Sequence, residues 1–262
     1  MRILKLNPFI RNIIASLGLI FFTSCAQIPV QAIFPSFNRH EVSLIISGLQ
    51  EQEKLVHTFL SKGRISFKNG DSTFEANILI IGTRDPLKIK LEITHRWGRP
   101  ILEFLIQETE LNILSFAEKK FYSGHIGTPE ATRFLPVRLD PDEIWAFMRG
   151  YPVLRKYERI KSLKESQLMF FNEADEMVQS IDFFLQSNLP HIVFLPGQEI
   201  KKSFSDYKNE NGIYYARQIT LNDKKEDTFL SLSHKQIVFN KTLPKDVYKL
   251  KIPHDFKVVS LP

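Results

Sequence analysis

Between residues 64 and 123 the chain is a succession of short segments with a period of two, joined by connections of only a few residues. Ile65 and Phe67 alternate with Arg64, Ser66 and Lys68, and Asn69-Gly70 then supplies a strong hairpin turn. Residues 74–81 make the return strand. Leu87, Ile89, Leu91 and Ile93 alternate with Lys88, Lys90 and Glu92, the cleanest half-buried strand in the chain. Segments 101–107, 111–117 and 120–123 follow at once. Strands joined this closely must run antiparallel, because a parallel crossover needs roughly a dozen residues or more.

Two helical stretches interrupt the strands. Residues 41–60 carry Val42, Ile45, Ile46, Leu49, Val56, Phe59 and Leu60 at helical spacing, and Gly63 is expected to end that helix. Residues 127–165 have helical character around a sharp start, with Asp140 as N-cap, Pro141 in the first position, and Asp142 and Glu143 in the first turn. Ile144, Trp145, Phe147 and Met148 make this second helix apolar on more than one side, and Gly150 with Pro152 stops it. Strands resume at 167–172, 179–186, 191–195, 213–221, 228–233 and 256–260. No seam rich in Gly, Ser or Pro divides residues 39–262, which read as one domain.

The fold class expected is mainly β, of α+β type. An antiparallel sheet of about ten strands curls under its own twist. Too little helix is available to cover it, so the expected form is an incomplete barrel with helices over its mouth and an apolar hollow inside. Leu87, Ile89, Leu91, Ile93, Phe104 and Ile106 would line that hollow. Twenty-two phenylalanines beside 11 glycines call for either a large core or such an internal apolar surface.

The N-terminus has a separate character. Arg2, Lys5 and Arg11 precede a short apolar run at 13–22, and Phe22-Thr23-Ser24-Cys25 closes it. The run is too short for a comfortable span of ~20 residues. It resembles a bacterial lipoprotein signal with its lipobox, which implies removal of residues 1–24 and covalent diacylglycerol and an N-acyl chain such as palmitate on Cys25. Ala26 stands where an inner-membrane retention signal would place aspartate, so the resemblance implies a lipid-anchored protein on the periplasmic face of the outer membrane. Residues 25–38 then read as a tether. Loss of the leader removes three basic groups and no acidic ones, taking the formal charge from +6 to +3. The remaining Lys and Arg are scattered, which gives no mandate for nucleic acid. Cys25 is the only cysteine, so disulfides and thiolate metal sites are excluded.

Trp97-Gly98-Arg99-Pro100-Ile101-Leu102-Glu103-Phe104, then Phe121-Tyr122-Ser123-Gly124, then the stretch from Leu139-Asp140-Pro141 through Gly150-Tyr151-Pro152 resemble segments of the LolB family of outer-membrane lipoprotein receptors, within the LolA/LolB superfamily. The likeness extends over most of the chain after Cys25, in the order helix, curved meander, helical insertion and second run of strands. It implies a half-barrel domain at 39–262, acylated lipoprotein or another lipid as cargo, and a LolA-like periplasmic carrier as donor. It also implies a monomer. The family's protruding loop maps onto Arg96, Trp97 and Arg99, with Trp97 as the residue that enters the membrane. The segment His95-Arg96-Trp97 is more cationic than the family loop, which usually has a proline and an aliphatic residue there. Trp97 as a plug folded back on the body is the other reading of that position. The family's lid helix maps onto Trp145, Phe147 and Met148, which as residues are equally ordinary core.

No catalytic or metal signature accompanies these features. The seven histidines lack zincin spacing, and no Gly-x-Ser-x-Gly elbow or phosphate-cradling loop is present. Asp140, Asp142 and Glu143 suit a helix start, where acids complement the positive end of the dipole. A non-enzymatic protein without cofactor or metal is expected. Three functions compete: lipoprotein receipt and insertion, carriage of a glycolipid or phospholipid, and an accessory scaffold holding a protein or polymer of the cell envelope. An open hollow favours the first two; a hollow filled by helix side chains favours the scaffold.

Overall fold

The computed structural model describes residues 36–261, apart from 71, 135–138, 165 and 245. Cys25, the leader and most of the tether lie outside the described residues.

Helix α1 (Arg39–Lys54) begins on a capping box. The Asn38 side chain accepts from the backbone N–H groups of His40 and Glu41, and the Glu41 carboxylate accepts from Asn38 N–H. Six strands follow as a meander: β1 (Thr58–Asn69), β2 (Ser72–Thr83), β3 (Lys88–Thr94), β4 (Pro100–Gln107), β5 (Glu110–Ser115) and β6 (Lys120–His125). A short 3-10 turn at Pro129–Arg133 leads to helix α2 (Pro141–Arg149). A second meander then runs through β7 (Arg159–Lys164), β8 (Gln167–Phe171), β9 (Met177–Phe183), β10 (Pro190–Leu195), β11 (Ile200–Glu210), β12 (Ile213–Asp223) and β13 (Thr228–Phe239), and β14 (Lys257–Ser260) closes the chain.

All these strands join one sheet in the order β14-β6-β5-β4-β3-β2-β1-β13-β12-β11-β10-β9-β8-β7. The first meander steps outward from β1 to one side. The segment containing α2 carries the chain to the opposite edge, and the second meander steps back until β13 pairs with β1. The sheet is not closed: β7 and β14 are its two edges. Laid flat, fourteen strands would span about 60 Å. Inward residues from near both edges, such as Tyr122 and Leu168, nevertheless share one core with both helices. Twist has curled the sheet around that core.

Four expectations are corrected. Helix α1 stops at Lys54, so Val56, Phe59 and Leu60 are not helical and Gly63 does not end a helix. Helical spacing continued past Lys54 by coincidence, and strand pairing overrides it: Phe59 faces Phe239 on one side and Gly82 on the other. The Asn240 side chain fixes the junction, donating to Leu55 O at 2.7 Å and accepting from His57 N–H at 2.9 Å. Gly63 lies at a bulge in β1, where an added Cβ would sit 2.3 Å from the Ser233 carbonyl oxygen. Second, the helical character expected over 127–165 stops at Arg149, and Arg159–Lys164 form strand β7 against β8. Third, Ile200–Glu210, which the alternation leaves between strands, form β11. Its alternation of Ile200, Lys202 and Phe204 hides a charge at an inward position, and the positive φ of Asp206 (54°) breaks the period. Fourth, β14 runs parallel to β6 rather than antiparallel. The stretch from 240 to 256 is the long crossover that parallel pairing demands.

That crossover lies on the convex face. The Tyr248 hydroxyl meets Thr83 Oγ1 at 2.6 Å, and Phe256 packs edge-on against Phe116. Beneath lie outward-facing Ile81, Leu105 and Leu114, all buried although they stand apart from the main core.

Candidate functional site: the concave face and its plug helix

Register places the expected lining residues in rows across the concave face. Ile106 faces Ile89, which faces Gly82; Phe104 faces Leu91, which faces Ile80. Ile93 continues the band beside Ile78, and all these apolar side chains are buried. Leu87 lies just before β3 and is half-buried against the same core. Helix α2 sits on this band. Trp145 and Phe147 are completely buried and Met148 nearly so, all within the core that holds the strand residues. Trp145 meets Phe59 edge-on at 5.1 Å. Gly82 makes room for that contact, because a Cβ there would lie 2.4 Å from the Phe59 ring. The helix is therefore a plug seated in the sheet rather than a cover over an open space. Five surface clefts of about 320–490 Å³ among the described residues lie off this apolar band and are lined largely by polar residues.

Charge ties the plug to the sheet, a feature that composition and spacing did not reveal. Lys202 points inward from β11, between Leu221 of β12 and Val193 of β10. Its ammonium forms an ion pair with the Glu143 carboxylate in the first turn of α2, both side chains being only 1% exposed. The other Glu143 oxygen accepts from Arg155 Nε at 3.1 Å, and Arg155 Nη2 reaches Asp140 at 3.0 Å. Burial pushes the Lys202 ammonium down to about 7, opposed by nearby Asp140, and raises the Asp140 carboxyl against the pull of Arg155. Outside this group, Arg84 bonds Glu53 at 3.1 Å and Asp142 at 2.5 Å. Glu53, Arg84, Asp140, Asp142, Glu143 and Arg155 border a cleft of about 380 Å³ at the helix N-terminus. Asp140, Asp142 and Glu143 do stand at the helix start, and Asp140 Oδ1 accepts from Glu143 N–H at 2.8 Å. Each also carries an ion pair from another element.

At the other end of α2, Gly150 adopts φ +79° and Arg149 is wholly buried. Arg149 Nη2 donates to the Gln52 carbonyl at 2.6 Å, satisfying one of the last carbonyls of α1. The Gln52 side chain in turn bridges Gly212 O and Tyr214 N–H, joining α1 to the β11–β12 turn. A further buried polar pair crosses the sheet centre, with Ser61 Oγ 2.6 Å from His234 Nδ1. Burial pushes the His234 imidazole down to about 4, so it is neutral at pH 7. No group of three or more His, Cys, Asp or Glu able to hold a metal ion occurs among the described residues.

The β3–β4 turn stands apart from the plug. Trp97 is 77% exposed, with its ring stacked on His95 at 4.8 Å, and Gly98 turns the chain with φ +89°. Arg96 pairs with Glu75, and Arg99 is exposed. Of the two arrangements left open for Trp97, the structure has the outward one. Phe74, on the neighbouring β2, is also partly exposed at this end of the sheet.

No protein-family model and no curated protein matches the chain. Solved structures similar to it include a DUF1329 family protein from Desulfovibrio piger, at 11% identity and a TM-score of 0.49, covering 79% of this chain and 97% of that one. A putative outer membrane lipoprotein-sorting protein domain from Vibrio parahaemolyticus is similar at 10% identity and a TM-score of 0.46, covering 78% and 97%. A LolA superfamily protein from Nitrosomonas europaea is similar at 12% identity and a TM-score of 0.45, covering 79% and 97%.

Proposed function

We propose that this is a lipid-binding protein of the bacterial cell envelope, in which acyl chains take the place of α2 on the concave face. The observation that carries the reading is the seating of the plug. A broad apolar band is covered by one nine-residue helix whose N-terminal end is held by a buried ion pair. Such a pair adds little net stability compared with apolar packing of the same shape, while keeping the helix in one register. Each methylene transferred onto the exposed band would recover ~0.8 kcal/mol. The four large apolar side chains that the helix buries, at about 1.5–3 kcal/mol each, are therefore matched by roughly one acyl chain. The protruding Trp97, flanked by Arg96 and Arg99, has the makeup of a tip that enters a bilayer interface bearing anionic headgroups. Receipt of a lipoprotein from a periplasmic carrier and its insertion into the outer membrane is the specific role that fits both features, with Cys25 as the anchor. No part of this scheme calls for catalysis, a metal or a cofactor.

One observation favours the scaffold reading instead: the interior is filled, with Trp145 and Phe147 at zero exposure. Native mass spectrometry of the Cys25→Ala chain, purified from a periplasm without detergent, separates the two. A co-purified diacyl or triacyl species is the expected result, and its headgroup or peptide identifies the cargo. A chain that stays lipid-free after incubation with a lipoprotein-loaded carrier would leave the scaffold standing.

A further inference from the structure

Arg149 is a buried cation with no carboxylate against it among the described residues. Its Nη2 is used by the Gln52 carbonyl, but Nε and Nη1 have no partner. The guanidinium lies 5.1 Å from the centre of the Tyr151 ring, and Tyr151 packs edge-on against Tyr207 at 6.1 Å. The Tyr207 hydroxyl is buried and also unpartnered. Glu53 lies within electrostatic range of Arg149 but is bonded to Arg84. Burial lowers Arg149 only to about 10 and raises both phenols, so at neutral pH the cluster holds one cation and two neutral hydroxyls. Donors outnumber acceptors in one buried place.

A charge buried without a counter-ion is among the costlier arrangements a protein can keep. Capping α1 accounts for Nη2 alone. From Tyr207 an aromatic run leads outward, through Phe184 at 6.4 Å to His191 stacked on it at 4.2 Å. It ends at the β9–β10 turn, where Leu185 is 65% exposed. An anionic head beside Arg149 with an apolar tail along those rings would satisfy both halves.

We infer that Arg149 and Tyr207 form an internal anion subsite that receives the carboxylate of a single-chain fatty acid, whose chain follows the Tyr207–Phe184 aromatic run. The inference rests on the lipid-binding reading above only in that the chain binds a lipid; it holds with α2 seated, since Arg149 is the last residue of that helix and the aromatic run lies on the β9–β11 side of the sheet, away from the β2–β4 band. A carboxylate matches the single positive charge of the cluster, whereas a phosphate monoester would bring a second charge with no cation to meet it.

The test uses the full chain with Cys25→Ala, stripped of bound lipid, and three probes with the same sixteen-carbon chain: hexadecanoic acid, hexadecan-1-ol and lysophosphatidic acid. Affinities are read by displacement of a neutral fluorescent lipid. The acid is expected to bind about ten- to a hundredfold more tightly than the alcohol, the worth of a charge-assisted hydrogen bond. Arg149→Met should abolish that difference. Tyr207→Phe should shrink it, and because the hydroxyl has no partner to lose, this variant should melt as the parent does. Equal affinity for acid and alcohol would overturn the subsite while leaving lipid binding intact. A preference for lysophosphatidic acid over the fatty acid would overturn the carboxylate assignment. Failure of all three probes to bind would instead count against the lipid-binding reading itself.

Discussion

Removing the Glu143 carboxylate is the most direct way to ask what holds α2 in the sheet. In Glu143→Gln, Lys202 keeps its place between Leu221 and Val193 but loses its counter-ion. Stranding a buried charge in this way costs about 3–5 kcal/mol. Deprotonation limits the damage, since burial already favours the neutral amine of Lys202. The reverse variant is gentler. In Lys202→Met the Glu143 carboxylate keeps Arg155 at 3.1 Å, so a loss of about 1–2 kcal/mol is expected. Replacing both, as Glu143→Leu with Lys202→Met, should come back to within about 1 kcal/mol of the parent. Urea unfolding of the Cys25→Ala chain and its three variants at pH 7 gives these values from the midpoints. The same Glu143→Gln protein should take up an apolar fluorophore more readily, because α2 is less firmly seated. A Glu143→Gln cost below about 1 kcal/mol, or one no larger than that of Lys202→Met, would refute the idea that this pair secures the plug.

His234 predicts a pH dependence. Its folded value of about 4 lies below the ordinary ~6.5, so its contribution is complete above pH 6.5 and lost as pH falls to 4, roughly 3 kcal/mol in all. Comparing urea midpoints over that range with those of His234→Leu isolates the effect; parallel curves would contradict it. Gly63→Ala forces backbone apart from the Ser233 carbonyl and should cost about 1–3 kcal/mol, whereas Gly48→Ala, with open space inside α1, should gain about 0.5–1 kcal/mol. Thermal melts of the two variants should move in opposite directions. Trp97→Glu should melt like the parent, since the side chain is 77% exposed, yet deliver bound lipid to anionic vesicles more slowly. Unchanged transfer would remove Trp97 from the membrane step.

Local order was legible where one physical signal acted alone. Alternation in Leu87–Ile93 and the Asn69-Gly70 turn announced the first meander, and Asp140-Pro141 announced the start of α2 to the residue. Where two signals competed, the reading failed. Helical spacing runs on through Phe59 and Leu60, although these residues belong to β1 and pair with Phe239 and Val238 of β13, far along the chain. Strand β11 went unseen because its inward Lys202 looks like a solvent-facing charge until Glu143 is brought to it from α2. The Trp97 turn was marked as a special place by its sequence, but only the folded hairpin decides that the indole points outward.

Strand spacing, short antiparallel joins and helix caps are set by the sequence locally, because all of them depend on neighbours within a few residues. Tertiary structure alone decided that the sheet would hold a plug in place of a hollow, that β14 would pair in parallel, and that Lys202 and Arg149 would be buried at opposite ends of one helix. Those outcomes depend on which distant groups share the low-dielectric interior, where the Glu143 carboxylate meets Lys202 and the Gln52 carbonyl meets Arg149.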